Sequence, residues 1–400
     1  MAEQSHRPQA RRSILRLAAG ALFALALSGC QLVPKAPPEP PPQQPQQPLP
    51  EPPKPDAVGP GLPQDATRHR VAVLVPLTGP NGGVGTSIAN AANLALLDTG
   101  GDRIRITVYD TAKGGAAAAA NEALAEGNRL FLGPLLAEDV RAVAPIAKRA
   151  SVPVISFSND ASVAGDGVYL MGFTPAQSVE RVVSFARTRG VERYAALVPE
   201  GVYGRHASQA MIDAVDEAKG RLTGMQTFDR GPASLRTAVS RLNGQGGYDA
   251  VLIGDSGRTA LAAAPLIRAG ASASARILGT ELWAAEETLG RTAALRGAWY
   301  ASVSDNMFVQ MRTRYRARYG KTPYRLASLG YDAVLLAVRV AKDWRIGRPF
   351  PEDELREPGG FAGVDGAFRF NRGGLAERSL EVREVTATGV TVVSPAPRGF

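Results

Sequence analysis

From Arg70 onward, short runs of β-branched and aliphatic residues alternate with Ala-rich stretches whose apolar positions recur at helical spacing. The runs Val71–Val75, Ile104–Tyr109, Leu130–Leu132, Val154–Ser156, Tyr194–Val198, Ala250–Ile253 and Arg276–Leu278 predict strands buried on both faces. Between them, Val179, Val182, Val183 and Ala186 fall at i, i+3, i+4 and i+7. Leu329, Ala333, Leu336, Ala337 and Val340 also form one helical stripe. Helix stops are expected at Gly100-Gly101, Gly190, Gly220, Gly270 and Gly320. Strand and helix alternate in two sets of about four units, divided near Gly172–Pro175, which is the size of two doubly wound lobes. After Phe361 the pattern turns to Gly-rich short strands, Ala367–Phe370, Ser379–Val385 and Val390–Val393, expected as an antiparallel extension.

The residues before this alternation have a different character. Arg7, Arg11, Arg12 and Arg16 precede an 11-residue apolar stretch, Leu17 to Leu27, too short to span a bilayer and right for a signal peptide. Leu27-Ser28-Gly29-Cys30 follows, and it holds the one cysteine of the chain. It resembles a bacterial lipobox, which implies cleavage after residue 29 and a lipid on Cys30. Arg11-Arg12-Ser13-Ile14-Leu15-Arg16 also looks like a twin-arginine export motif. Gln31, where an Asp would retain an enteric lipoprotein at the inner membrane, favours the outer membrane. Residues 34–63 hold 14 prolines and cannot build a core. As polyproline II at about 3.1 Å per residue, the stretch from Cys30 to Thr67 reaches on the order of 100 Å. The expected organisation is a signal peptide at 1–29, a lipidated linker at 30–67 and a folded part from 68.

Composition narrows the chemistry. The formal charge is +9, of which residues 1–29 carry +3, leaving a mildly basic mature chain too diffuse in charge to imply nucleic acid. One cysteine and three histidines exclude a disulfide scaffold and a cysteine-built zinc site. Two motifs imitate enzymes and a third imitates a nucleic-acid surface. Gly79-Pro-Asn-Gly-Gly-Val-Gly85 caricatures a dinucleotide fingerprint, but Ile88 stands where a third glycine is needed. Gly254-Asp-Ser-Gly257 imitates a protease nucleophile motif, but Arg258 replaces a glycine, and the positioned base it needs could come only from His69, at the domain's edge, or His206; Asp255 or Ser256 capping a helix is the better reading. The Arg312, Arg314, Arg316, Arg318, Lys321 run is interleaved with tyrosines, yet Phe308, Met311, Tyr315 and Tyr319 form an apolar stripe, so the arginines are read as a solvated face.

A family resemblance rests on Val71-Ala-Val-Leu-Val-Pro-Leu-Thr-Gly-Pro80, Gly133-Pro134-Leu135, Pro153-Val-Ile-Ser156, Val202-Tyr-Gly204, Leu329-Gly-Tyr-Asp332 and Gly363-Val-Asp-Gly-Ala-Phe-Arg-Phe370. Their order and spacing resemble the type I periplasmic binding proteins, nearest the branched-chain amino-acid receptors. Ser156-Phe-Ser-Asn-Asp160, Val163-Ala-Gly165 and Gly172-Phe-Thr-Pro175 are similar, more narrowly, to the penicillin-binding protein activator lipoproteins. The resemblance implies an α/β fold of two Rossmann-like lobes with a central cleft and three interlobe crossings. Lobe 1 is expected at 68–175 and 301–345, lobe 2 at 176–300 and 346–400.

It also implies where a ligand would sit. Amino-acid receptors of this family hold the ligand carboxylate with hydroxyls and backbone N–H groups after the third and fourth strands, and pair its ammonium with an acid from the opposite lobe. Here Leu135-Leu136-Ala137-Glu138 stands where a hydroxyl is usual, and Asp160 where a Thr is usual. The contact candidates are Ser158, Asn159, Asp160, Tyr203 and Glu281, with Asn159 and Asp160 equally readable as caps of a turn. The implied role is regulatory and not catalytic, with no cofactor and no metal: an outer-membrane lipoprotein that docks on and activates a bifunctional penicillin-binding protein, a peptidoglycan synthase. The activators of enteric bacteria carry a helical-repeat domain before this fold, where this chain has the proline-rich spacer. The alternative is a lipid-anchored receptor feeding an ABC importer; an NAD-linked or hydrolytic enzyme is a weaker third.

Overall fold

The structure, a computed structural model, describes residues 67–397; Cys30, Gln31 and the proline-rich linker lie outside the described residues. The chain alternates β1 (His69–Val75), α1 (Gly82–Thr99), β2 (Ile104–Asp110), α2 (Ala116–Ala125), β3 (Phe131–Leu132), α3 (Ala137–Arg149), β4 (Val154–Ser156) and β5 (Val168–Leu170). It continues with α4 (Pro175–Thr188), β6 (Arg193–Pro199), α5 (Val202–Glu217), β7 (Arg221–Phe228), α6 (Pro232–Gly244), β8 (Ala250–Ile253), α7 (Gly257–Arg268), β9 (Arg276–Gly279) and β10 (Trp299–Ser302). Two helices follow, α8 (Asn306–Tyr319) and α9 (Ala327–Val340), then β11 (Phe361–Gly363), β12 (Gly366–Phe370), β13 (Ala376–Arg378), β14 (Glu381–Thr386) and β15 (Gly389–Ser394).

Two sheets organise these elements. The first is parallel, in the order β2-β1-β3-β4-β5. The second runs β7-β6-β8-β9-β10 in parallel and is extended by antiparallel β14 and β15. Both are covered on both faces, which is why their strands read as continuous apolar runs. In β1 the two-residue period sends Val71, Val73 and Val75 towards α1, α8 and α9, and Ala72 and Leu74 towards α2 and α3. In β6, Ala196 and Val198 join α4 and α5, while Ala195 and Leu197 join α6 and α7.

The local signals act where expected. Gly100 and Gly320 close α1 and α8 in the left-handed conformation. Glu138 and Asp139 open α3, and Lys148 and Arg149 close it, matching the helix dipole.

The expected lobe boundaries need two corrections. Ala301 and Val303, expected in lobe 1, pack in the core of lobe 2. Residues 346–400 are expected in lobe 2, but Phe361, Phe368, Phe370 and Ala376 pack in the core of lobe 1 with β1 and α9. Three aromatic rings on a small antiparallel sheet, β11-β12-β13, need an apolar face to cover, and α9 offers one. Only from Leu380 does the chain rejoin the core of lobe 2. The expected strand Ser379–Val385 therefore begins two residues later, at Glu381, because Ser379-Leu380 is where the chain passes between lobes.

The lobes are joined by three crossings, at 171–174, 303–305 and 378–381, and charged side chains bind these together. Buried Arg378 donates to Met171 O at 2.9 Å. Arg383 reaches Val303 O at 2.8 Å, Glu381 Oε1 at 2.7 Å and the Asp305 carboxylate. Arg325 lies 2.7 Å from Asp365 and 3.7 Å from Asp305. Burial, and then the charge of Asp365, pushes the adjoining Asp332 carboxyl up to about 7.

Candidate functional site

In each sheet the strand order reverses direction beside the first strand, at β1/β3 and at β6/β8. In open α/β sheets, ligands bind outside the carboxyl ends of the strands at such a switch point. The carboxyl ends of both sheets border one cavity of about 370 Å³. Lobe 1 contributes Asn81 and Val84 after β1, Leu135 and Leu136 after β3, and Phe157 and Asn159 after β4. Lobe 2 contributes Glu281, Leu282, Ala284 and Ala285 after β9, and Ser302 and Val303 at the end of β10. Phe173 of the first crossing, Arg325 and Leu326 complete the wall, which is predominantly apolar.

The polar pole of the cavity is Glu281. The Tyr203 hydroxyl donates to its Oε1 at 2.9 Å and lies 3.0 Å from Thr280 Oγ1. The Ser178 hydroxyl, from the first turn of α4, contacts Oε2. No ion-pair partner of Glu281 is found among the described residues. Burial pushes its carboxyl above the usual range, and the two hydroxyls offset this only in part. Burial, reinforced by Glu281, holds the Tyr203 hydroxyl well above its ordinary value. The arrangement is a fixed acceptor on an apolar wall, suited to a cationic or hydrogen-bond-donating group.

The opposite pole has a different design. Leu135 and Leu136 face the cavity, and the hydroxyls beyond them are engaged with their own loop. Ser156 donates to Pro134 O at 3.0 Å and accepts from Ser158 N at 3.0 Å; Ser158 Oγ accepts from Asp160 N at 3.2 Å. Gly172 of the first crossing lies against this loop, where a Cβ would stand 1.9 Å from Ser158 O.

The alternatives for Asn159 and Asp160 separate. Asn159 is exposed and lines the cavity. Asp160 is buried and caps the short 3₁₀ turn Ala161–Val163, accepting from Ser162 N at 3.0 Å. It also pairs with Arg141 at 2.9 Å and meets His206 at 3.3 Å. Desolvation would raise its pKa, but hydrogen bonds from Ser162, Arg141 and His206 outweigh this and hold the carboxyl down at about 2.

Of the sequence candidates, the structure therefore brings Asn159 and Glu281 to the cavity, puts Tyr203 directly behind Glu281, and leaves Ser158 and Asp160 buried in the loop. Sequence reasoning missed Ser178, Ser302 and Arg325. The Ser178 hydroxyl follows Pro175 at the start of a helix, a position that reads only as a cap. The imitations resolve as well: Ser256 caps α7 by accepting from Thr259 N, and Asp255 pairs with Arg230 at 3.1 Å. Phe308, Met311 and Tyr315 are core, and His69 stacks on Trp344 at 3.7 Å.

The comparisons with known proteins agree with this geometry. The family model described as periplasmic binding protein matches residues 69–389, so the chain belongs to that family. Its fold is that of the type I members. A putative branched-chain amino acid ABC transporter structure from Rhodospirillum rubrum is similar over 82% of this chain and 100% of that one, with a TM-score of 0.72 and 20% identity. A leucine binding protein from Thermotoga maritima covers 82% and 98%, with a TM-score of 0.62 and 22% identity. A Rhodopseudomonas palustris solute binding protein in complex with benzoate covers 82% and 97%, at 0.60 and 17%. Among curated sequences, an uncharacterized protein of Rickettsia prowazekii is 24% identical over 174 residues, 43% of this chain. The chain matches about half the length, 47%, of that relative. No helix of the described residues is long and apolar enough to cross a membrane.

Proposed function

We propose that the chain is a lipid-anchored envelope protein that regulates cell-wall synthesis by docking on and activating a peptidoglycan synthase, and is neither a receptor for free amino acids nor an enzyme. The observation that carries this reading is the anion pole of the cleft. Leu135 and Leu136 line it, and the Ser156, Ser158 and Asp160 side chains accept from their own backbone or stabilise their own loop. The resemblance of Ser156–Asp160 and Gly172–Pro175 to the activator lipoproteins, and the lipobox-like Cys30 with its long spacer, support the same reading.

An amino acid enclosed here would lose charge-assisted hydrogen bonds to its carboxylate of about 1.5–3 kcal/mol each. Two such losses cost roughly two to four powers of ten in affinity. Ligand near or below its dissociation constant adds at most RT ln 2 of stability. A thermal-shift panel of the twenty amino acids at about 1 mM should therefore show no shift above about 1 °C. A shift of several degrees with any of them would overturn the reading in favour of an amino-acid receptor.

A second reading, a solute receptor for an ABC importer, is favoured by Glu281, a carboxylate without an ion-pair partner among the described residues, on a predominantly apolar wall. The solute it suits is an apolar molecule with a cationic or donor group and no carboxylate.

A further inference from the structure

We infer that Asp160 and His206 form a latch that holds the two lobes together across the cleft without a ligand. Asp160 belongs to lobe 1, in the loop after β4. His206 belongs to lobe 2, on α5 between Gly204 and Ala207, which are buried against β6. His206 Nε2 lies 3.3 Å from Asp160 Oδ1. The contact therefore joins the two lobes through side chains that lie outside the three crossing segments. The other polar links between lobes cluster at the crossings: Gln177 with Ala376 O at 2.6 Å and Arg378 N at 2.8 Å, and Arg383 with Asp305. Among the described residues one further ion pair joins the lobes, Arg312 with Glu287 at 3.4 Å, but its Glu287 side chain is 84% exposed, so it is screened and weak.

The acid of the latch is pre-set. Arg141 at 2.9 Å and Ser162 through both its N–H and its hydroxyl, at 3.0 and 2.7 Å, fix the carboxylate. The Asp160 side chain is 8% exposed, whereas that of His206 is 36% exposed. On opening, Asp160 would keep Arg141 and Ser162 and lose only His206. The His206 contact is thus present in one state and absent in the other, which is the differential contact a closing ligand supplies in hinged binding proteins. A residue that a receptor would point at its solute has been turned into half of an internal tie. The cleft then keeps one shape whether or not a solute is present, whatever the protein's partner.

The test is the interlobe distance distribution of the mature chain carrying Cys30→Ser, labelled through Lys113→Cys and Glu217→Cys on exposed positions of the two lobes. The chain has no other cysteine. With no solute added, single-molecule energy transfer should show one short-distance population. His206→Ala should raise the ratio of open to closed molecules about fivefold, the factor set by losing one partly exposed hydrogen bond to a carboxylate. Asp160→Asn should act in the same direction, and the double variant should open no further than the more open single one. His206→Glu, which sets a like charge against Asp160, should open the lobes more than His206→Ala, and Glu287→Ala should leave the distribution unchanged. The inference is overturned if His206→Ala and His206→Glu fold with wild-type circular dichroism and keep the wild-type distance. It is equally overturned if Glu287→Ala opens the lobes as much as His206→Ala does.

Discussion

Arg383→Met should lower the stability of the folded chain by about 3 kcal/mol, the low end of what removing one partner from a buried ion pair costs. The Arg383 side chain is 5% exposed, and its three guanidinium nitrogens each have an acceptor: Glu381, Asp305 and Val303 O. Although burial alone would lower the Arg383 pKa, Asp305 and Tyr300 overcome this and raise it, so the charge is fully retained. Met fills the volume of the stem and leaves the Glu381 carboxylate, whose side chain is 12% exposed, without its cation. Asp305 is one-third exposed and can turn to water, which keeps the loss from being larger. Lys at this position keeps the charge but cannot serve three acceptors with a planar fork, so Arg383→Lys should lose a substantial part of the same stability. Urea unfolding with an unchanged slope measures both. A midpoint for Arg383→Met within experimental error of wild type would show that the crossings are not held by this network.

Removing residues 36–60 should leave the melting temperature nearly unchanged and abolish activity in the cell. The segment is dominated by proline, glutamine and glutamate and offers no apolar periodicity for packing. Its proposed role is reach: as polyproline II, at about 3.1 Å per residue, the segment would hold β1 away from a lipid on Cys30. A protein that docks on a partner far from its own membrane loses contact when that reach is cut, whereas a solute receptor beside its permease would not. Replacement by an equally long Gly/Ser stretch should restore part of the activity, because a flexible chain spans the distance less often than a stiff one. Full activity of the deleted chain in a growth assay that depends on the protein would reduce the segment to a generic linker.

How legible these features were depends on the range of the interaction behind each. The β1 run Val71–Val75 is buried on both faces, and such a strand announces itself by composition alone. β7 (Arg221–Phe228) was missed because it is an edge strand, only partly buried along most of its length and interrupted by Gly224. β5 and β10 follow loops and 3₁₀ turns instead of α-helices, so the strand–helix alternation that marks the equally short β4, β8 and β9 does not mark them. The placement of Phe361, Phe368 and Phe370 in lobe 1 follows from packing on α9, which chain order does not reveal. At the site, Tyr203 and Glu281 were found because they stand in motifs of the family. Asp160 stood out as a carboxylate in the wrong place, but its meaning lay 46 residues away, in His206 on the other lobe. No local pattern carries a contact of that kind. The capping of the Ala161–Val163 turn by Asp160, by contrast, is local, and it was among the alternatives the sequence offered.

The most direct test of the proposed function is the rate at which a purified bifunctional penicillin-binding protein of the same envelope polymerises glycan strands, measured with and without the mature chain in one detergent system. The account predicts a several-fold, saturable rise in rate that survives addition of amino acids, since the loop that would hold their carboxylates presents Leu135 and Leu136, and Arg325 of the same wall is paired with Asp365 and Asp305. A rate unchanged at every concentration of the chain, with a shift of several degrees in its melting temperature on adding a small solute, would contradict it and establish a receptor.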